Sequence, residues 1–179
     1  MKILTPSRVI AAVSLALAAL SFGVAYAGAG SGGSPPQGAG QACVHGTALL
    51  ERNKRNVVAY YETAVNDKNP RLAVQLYGGD EYIQHNPLAD NGFAAFIAFF
   101  EGFEAAFPNL NIDIRRVIAE CDLVVTHGII GGAGTESVFG PRGSKVVDIF
   151  RLDANGKIVE HWDVLAAISA TSVNGNPEV

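Results

Sequence analysis

Charged residues, basic clusters and cysteines are all scarce in this chain. Of its 179 residues 17% are charged, 13 are Lys or Arg, and two are Cys. No run of basic residues is longer than two, as in Arg115-Arg116, so we expect no nucleic-acid partner. Low charge is combined here with 49% hydrophobic residues, which excludes a disordered chain. The composition therefore indicates a folded globular protein.

The longest apolar run lies at the N-terminus. Lys2 and Arg8 precede an uncharged stretch, Val9 to Val24, and Ala25-Tyr26-Ala27 follows it. A basic start, an apolar stretch and a small-residue site form a secretory signal peptide, which we predict over residues 1–27. The apolar stretch is short for a membrane span. We therefore expect export to the periplasm or the medium, with no membrane attachment after cleavage.

A segment rich in Gly, Ser and Pro follows the predicted signal peptide. Residues 28–42 read GAGSGGSPPQGAGQA, which does not pack, so we expect a flexible leader over residues 28–46. No later linker divides the chain, and one domain is expected over residues 47–170, followed by a tail, residues 171–179. Cleavage removes two of the 13 basic residues, and 11 basic and 17 acidic residues then give a net charge of −6.

The two cysteines, Cys43 and Cys121, lie in the leader and near a turn. In an oxidising compartment they could form a disulfide. Two separate thiols fit the sequence equally well, because the sequence does not give the distance between them. Both alternatives remain open at this point.

Helical periodicity is strongest in the first half of the domain. The spacing of apolar residues predicts a helix over residues 47–66. Asn69 precedes a proline and predicts a capped short helix over residues 70–76. Asn91 is a candidate cap for a third, Phe-rich helix that ends at the next proline. A short strand or extended piece is expected over residues 81–85, between the second and third helices.

The second half of the domain changes to strand periodicity. Strands are predicted over residues 109–120 and 123–130, and a hairpin over residues 144–152 and 157–165. The hairpin turns at Asn155-Gly156, which is a strong turn signal. Three helices followed by four strands predict an α+β fold, with an antiparallel sheet covered by helices on one face.

Three strings in this order of elements resemble the SnoaL-like family of the nuclear transport factor 2-like superfamily, over roughly residues 52–168. They are Tyr82–Pro87 (YIQHNP), Val147–Arg151 (VDIFR) and Gly156–Asp163 (GKIVEHWD). The resemblance implies a cone-shaped, curved antiparallel sheet packed against about three N-terminal helices, with a deep apolar pocket. It also implies a homodimer paired through the outer face of the sheet, where we expect Trp162.

The family includes polyketide cyclases that act by aldol condensation, and the superfamily includes ketosteroid isomerases. Such enzymes place an ionisable group, often an Asp on the last long strand, at the bottom of the pocket. Carried onto this sequence, the resemblance implies that Asp163 is the acid/base carboxylate. His161 shares its strand face and could orient Asp163 or bond a developing enolate oxygen. Without the resemblance, an exposed His–Asp pair would explain both residues as well.

Further pocket residues are expected on other elements. His85 is a catalytic candidate at the pocket rim, with a loop His bonded to the backbone as the alternative. His127 is expected to contact the ligand if its strand face lines the pocket, and Tyr82, Phe96 and Phe100 are expected to line it. Close pairs of metal ligands are scarce, so neither a metal nor another cofactor is expected.

The sequence leaves three functions open. The first is acid/base chemistry, namely aldol condensation, cyclisation or isomerisation, on a small apolar carbonyl compound. The second is a non-catalytic ligand-binding or dimeric module of the same fold. The third is epoxide-hydrolase-like water activation by Asp148 and Arg151. It depends on the hairpin register, because one loop length turns Asp148 toward the face of His161 and another turns it away.

Overall fold

The computed structural model describes residues 46–179. This part of the chain contains four α-helices, one π-helical turn and five strands. The predicted signal peptide, most of the leader and Cys43 lie outside the described residues. Within residues 46–179 no helix is long and apolar enough to cross a bilayer. The elements are α1 (Thr47–Tyr61) with a π-helical turn (Glu62–Asn66), α2 (Pro70–Tyr77), β1 (Gly78–Gln84), α3 (Phe93–Ala106), β2 (Asn111–Glu120), β3 (Leu123–Gly131), α4 (Glu136–Phe139), β4 (Ser144–Leu152) and β5 (Ile158–Ala167).

The first two predicted helices are confirmed, and their ends have local causes. The backbone N–H of Asp67 donates to the carbonyl of Glu62 at 2.8 Å, so the last turn of the first helix is π-helical. The side chain of Asn69 accepts from the backbone N–H of Leu72 at 3.1 Å and caps α2, with Pro70 at the first helical position.

The predicted cap of the third helix is wrong. The side chain of Asn91 instead accepts from the backbone N–H of Gln84 at 2.8 Å, which ties the loop to β1. Gly92 precedes α3 with φ 90°, a left-handed conformation that favours glycine. The short helix α4 was not predicted, because four residues are too few to show a period.

The sheet has the strand order β1-β5-β4-β3-β2. All neighbours are antiparallel except β1, which pairs with β5 in parallel and makes the sheet mixed. Helix α1 packs on β2 and β3, and α3 contacts β1. We call the helix-covered side of the sheet the inner face. The core between the layers consists mainly of aromatic and aliphatic side chains, including Val57, Tyr60, Phe96, Phe103, Val124 and Phe150.

The turn of the β4–β5 hairpin determines the register on which the site depends. Gly156 has φ 79° in the turn, and Asp153 Oδ1 accepts from the backbone N–H groups of Asn155 and Lys157 at 2.8 Å each. The register then shifts by one residue, because Arg151 pairs with Glu160 whereas Leu152 pairs with Ile158. This bulge sets which residues of β4 and β5 lie opposite each other.

Candidate active site

Four side chains meet on the inner face where β4 and β5 pair. Asp148 lies directly opposite Asp163, and Phe150 lies opposite His161. Residues opposite each other, or two apart on a strand, share a face, so all four point the same way. The register that the sequence left open therefore brings a second carboxylate, Asp148, to the predicted pair of His161 and Asp163.

Asp148 is the buried centre of a hydrogen-bond network. Its Oδ1 accepts from the phenol of Tyr61 at 2.7 Å, and its Oδ2 accepts from the hydroxyl of Thr126 at 3.0 Å. His161 Nε2 lies 3.2 Å from Asp148 Oδ1 and 3.2 Å from Tyr61 Oη. Burial and the Asp148 carboxylate raise the pKa of Tyr61 well above its ordinary value. Tyr61 therefore remains a neutral hydrogen-bond donor.

The other ring nitrogen of His161 faces the side chain of Gln84. His161 Nδ1 lies 3.1 Å from Gln84 Oε1, which also accepts from the backbone N–H of Asn86 at 2.9 Å. The backbone donor fixes Oε1 as the acceptor, so Nδ1 is the donor to it. Both ring nitrogens of His161 thus have a hydrogen-bonding neighbour. The imidazole ring is also nearly parallel to the ring of Tyr82, with 6.3 Å between the ring centroids.

Asp163 is half-buried, and Asn86 holds it rather than His161. The amide nitrogen of Asn86 donates to Oδ1 of Asp163 at 3.0 Å and to Oδ2 at 2.8 Å. The ligand atoms of Asp148, His161 and Asp163 all lie within 4.8 Å of one another. The two carboxylates and the imidazole are therefore close enough to act on each other electrostatically, although the hydrogen-bond contact of Asp163 is with Asn86.

These polar side chains line a cavity of about 480 Å³. Most of the remaining wall is apolar, and it includes five rings, those of Phe96, Phe99, Phe100, Phe103 and Phe139. Tyr82, Phe96 and Phe100, the three expected pocket residues on β1 and α3, are all in this wall, and their contact with a ligand stays a prediction. Among the described residues no Lys or Arg lines it, whereas Asp90, Asp148 and Asp163 do.

The two other predicted histidines lie away from the cavity. His85 Nε2 is 2.6 Å from Glu160 Oε1, and its ring stacks on Trp162 at 4.6 Å. His127 alternates with the inner-face residue Thr126 along β3, and its Nδ1 lies 3.1 Å from Nη1 of Arg116. Because neither imidazole lines the cavity, we assign neither of them a direct contact with a ligand.

Arg151 also points outward, because it pairs across the sheet with Glu160 and lies against the Glu160 carboxylate. Asp148 and Arg151 are thus on opposite faces of β4. An Asp-Arg-Asp set around one water is not assembled on the inner face of these two strands.

Several residues of the site were not predicted. Gln84 and Asn86 lie in the YIQHNP string, on either side of His85, the residue that the string itself indicates as a catalytic candidate. Tyr61 and Thr126 gave no signal, because their partner Asp148 is 87 and 22 residues away in the chain. Asp148 was recognised only as one of two alternatives, since its face depends on the bulge.

The distances among Asp148, His161 and Asp163 would also suit a metal ion. Asp148 already binds Tyr61 and Thr126, His161 lies against Gln84, and Asp163 binds Asn86. A metal ion would have to compete with these partners for the same atoms. The absence of a metal from the reaction stays a prediction.

Cys121 is disulfide-bonded, which favours the disulfide over two separate thiols. Its candidate partner, Cys43, lies outside the described residues, so the pairing of these two cysteines stays untested.

Comparison with known families identifies the chain. The model of the SnoaL-like domain matches residues 57–161, more than half of the chain, so the chain belongs to the SnoaL-like family. No curated protein matches it. Membership confirms the family predicted from the three sequence strings, and with it the α+β fold of the nuclear transport factor 2-like superfamily.

Solved structures share this fold at low sequence identity. TsrD from Streptomyces laurentii is 21% identical with a TM-score of 0.51, over 68% of this chain and 90% of its own. A proposed polyketide cyclase from Acidithiobacillus ferrooxidans is 18% identical with a TM-score of 0.53, over 64% and 87%. A proposed SnoaL-like polyketide cyclase from Jannaschia sp. CCS1 is 20% identical with a TM-score of 0.53, over 70% and 91%. At these identities the comparison establishes the fold alone.

Proposed function

We propose that this protein catalyses acid/base chemistry on a small, neutral, largely apolar carbonyl compound, by aldol condensation, cyclisation or isomerisation. The observation that carries the proposal is the Asp163 carboxylate, which accepts from the amide nitrogen of Asn86 in the wall of a largely apolar cavity. The proposed polyketide cyclases among the similar solved structures and the family match support the same class of reaction.

Asp163 acts as the general base in this proposal. A carboxylate has about four lone-pair sites, and the amide nitrogen of Asn86, which contacts both oxygens of Asp163, leaves some of them free. A remaining lone pair takes a proton from the carbon next to the substrate carbonyl, the C–H electrons move into an enolate, and the proton returns to the product. An apolar wall strengthens these electrostatic interactions because it excludes water.

His161 supports this step by fixing its neighbours. Its two nitrogens lie within hydrogen-bond distance of Gln84 and Asp148, which also line the cavity. The amide nitrogen of Gln84 donates to Tyr82 Oη at 3.3 Å and has a second N–H for the developing enolate oxygen. His161 is therefore assigned an orienting role, and Gln84 the role of hydrogen-bond donor.

The charge of the cavity favours a neutral substrate. Three carboxyl groups and no Lys or Arg line it within the described residues, so an anionic ligand would be repelled without a compensating cation. Five phenylalanine rings favour an apolar or cyclic carbon skeleton. Epoxide-hydrolase-like water activation is less well supported, because Arg151 is bound to Glu160 on the outer face.

The test is deuterium exchange from D₂O into the carbon next to the carbonyl of neutral cyclic ketones, with β-tetralone as the main probe. We expect saturable exchange, and a fall of about 10²–10⁴-fold in Asp163→Asn, the range of a positioned general base. Affinity for an apolar naphthylamine dye should remain, since the shape of the side chain is conserved. Asp80→Asn removes an equal charge from an exposed position on β1 and serves as the control.

Two outcomes contradict the acid/base proposal. The first is full exchange activity in Asp163→Asn. The second is dye binding without exchange on any ketone of the panel, which instead supports the non-catalytic ligand-binding module.

We also propose that the protein is exported, on the basis of the signal sequence at residues 1–27. N-terminal sequencing of protein recovered outside the cytoplasm should begin at Gly28. A sequence beginning at Met1 would contradict cleavage.

A further inference from the structure

The segment between β1 and α3, residues His85–Gly92, borders the cavity, and we call it the rim segment. Four consecutive residues, Pro87 to Asp90, line the cavity wall. The segment begins with two neighbours, His85 and Asn86, whose side chains bind opposite faces of β5. In the proposed reaction Asn86 is a contact of Asp163, and His85 has no part.

Asn86 is fixed on the inner face by all of its polar groups. Its backbone N–H donates to Gln84 Oε1 at 2.9 Å, and its Oδ1 accepts from the backbone N–H of Leu88 at 2.9 Å. Since Oδ1 is bound to a donor, the amide nitrogen must face Asp163, where it contacts both carboxylate oxygens. The hydrogen bonds of the rim segment thus determine which end of the amide meets the proposed base.

His85 is fixed on the outer face. Its Nε2 lies 2.6 Å from Oε1 of Glu160, a carboxylate that is 5% exposed, and its ring is stacked within 5° of parallel on Trp162. Its backbone N–H donates to the carbonyl of His161 at 3.0 Å. Glu160 and Trp162 alternate along β5 with the inner-face residues His161 and Asp163. The contacts of His85 therefore hold the chain at the level of the proposed site.

We propose that Asn86 is the positioning residue for Asp163, and that His85 keeps Asn86 in place by binding Glu160 and Trp162 on the opposite face. This inference rests on the proposed function, because it assumes that Asp163 is the base. The contact of this amide nitrogen with both carboxylate oxygens restrains the orientation of Asp163 and leaves other lone pairs of the carboxylate for the substrate. His85 then acts through Asn86, and it does not touch the substrate.

The first test separates turnover from binding in variants of Asn86. Asn86→Ala should lower kcat for β-tetralone exchange by roughly 10- to 100-fold with KM changed less than about threefold, because a misplaced base reacts more slowly. Asn86→Asp keeps the shape but cannot donate to a carboxylate, so it should not restore the rate. Wild-type kcat in either variant overturns the positioning role of Asn86.

The second test concerns His85. His85→Ala should lower kcat, as Asn86→Ala does. His85→Gln can still donate to Glu160 and should recover part of this loss. Amide hydrogen exchange of Leu88 to Asn91 should be faster in His85→Ala, because the rim segment loses its outer contact. His127→Ala removes another outer-face histidine and should leave kcat, KM and this exchange unchanged.

The results distinguish this inference from the proposed function. If Asp163→Asn abolishes exchange while Asn86→Ala and His85→Ala retain wild-type kcat, the base is correct and the positioning inference is wrong. If Asp163→Asn retains activity, the proposed function itself fails. If His85→Ala and His127→Ala lose activity equally and His85→Gln recovers none, the specific role of His85 is contradicted.

Discussion

The two faces of β5 have different tasks, although their residues alternate along one strand. On the inner face His161 and Asp163 reach the cavity, where their partners are side chains from β1, β4, α1 and the rim segment. On the outer face Glu160 and Trp162 bind His85. The comparison teaches that residue type alone does not define a site. The His161 side chain is 6% exposed and lies between Gln84 and Asp148, whereas the His85 side chain is 41% exposed and binds Glu160.

The largest expected effect is on stability, which should fall much more when a buried carboxylate is removed than when an exposed one is removed. Asp148→Ala leaves Tyr61, Thr126 and His161 without their common buried partner, so the free energy of unfolding should fall by about 3–5 kcal/mol. Asp113→Ala removes a carboxylate from an exposed pair with Arg115 and should lower the free energy of unfolding by about 0–1 kcal/mol. Urea unfolding of both variants measures the difference. Equal losses would contradict the network described around Asp148.

The second difference concerns the inner face itself. His161→Gln should lower β-tetralone exchange by about 10-fold, less than Asp163→Asn, because it disturbs orientation without removing the base. His127→Gln is the matched change on β3 and should have no effect on exchange. A loss in His161→Gln as large as that in Asp163→Asn would instead make His161 the acid or base.

The third difference is one of ligand charge. Phenyl-naphthylamine and its sulfonated analogue anilinonaphthalenesulfonate differ essentially by one anionic group. We expect the neutral dye to bind at least about tenfold more tightly, because only carboxylates among the charged side chains line the described cavity. In fluorescence titrations, Asp163→Asn should reduce the difference in affinity between the neutral and the anionic dye. Equal affinities in the wild type would argue against a neutral substrate class.

The smallest expected effect on the site comes from the outer face. We propose that this face forms the interface of a homodimer, because Ile118 and Val164 are 64% and 70% exposed there and Val147 is 37% exposed. Val164→Lys should shift light scattering from dimer toward monomer while exchange activity changes less than about twofold. A wild-type monomer at micromolar concentration would contradict the homodimer.

The sequence predicted the elements of the hairpin well because its signals are local. The predicted strand over residues 144–152 has the same bounds as β4, and Asn155-Gly156 lies in the turn. The shared face of His161 and Asp163 also follows from the two-residue period of a strand. The inward position of Asp148 could not be predicted, since it depends on a one-residue bulge after the turn.

Other residues of the site depend on contacts between distant parts of the chain. In β3 both alternating sets are apolar enough to face a core, so the sequence did not show that Thr126 points inward and His127 outward. His85 follows the end of β1, where strand alternation no longer gives a direction. Tyr61 looked like one more apolar residue of α1, because its hydrogen bond to Asp148 joins residues 87 positions apart.

The most direct test of the account compares neighbouring residues on the two faces of β5. Asp163→Asn and Val164→Thr both conserve side-chain shape, one on the inner face toward the cavity and one on the outer face. Saturated β-tetralone exchange should fall by about 10²–10⁴-fold in Asp163→Asn and remain within about twofold of wild type in Val164→Thr. Equal rates in wild type and Asp163→Asn would contradict the central claim that the inner-face carboxylate of β5 is the base.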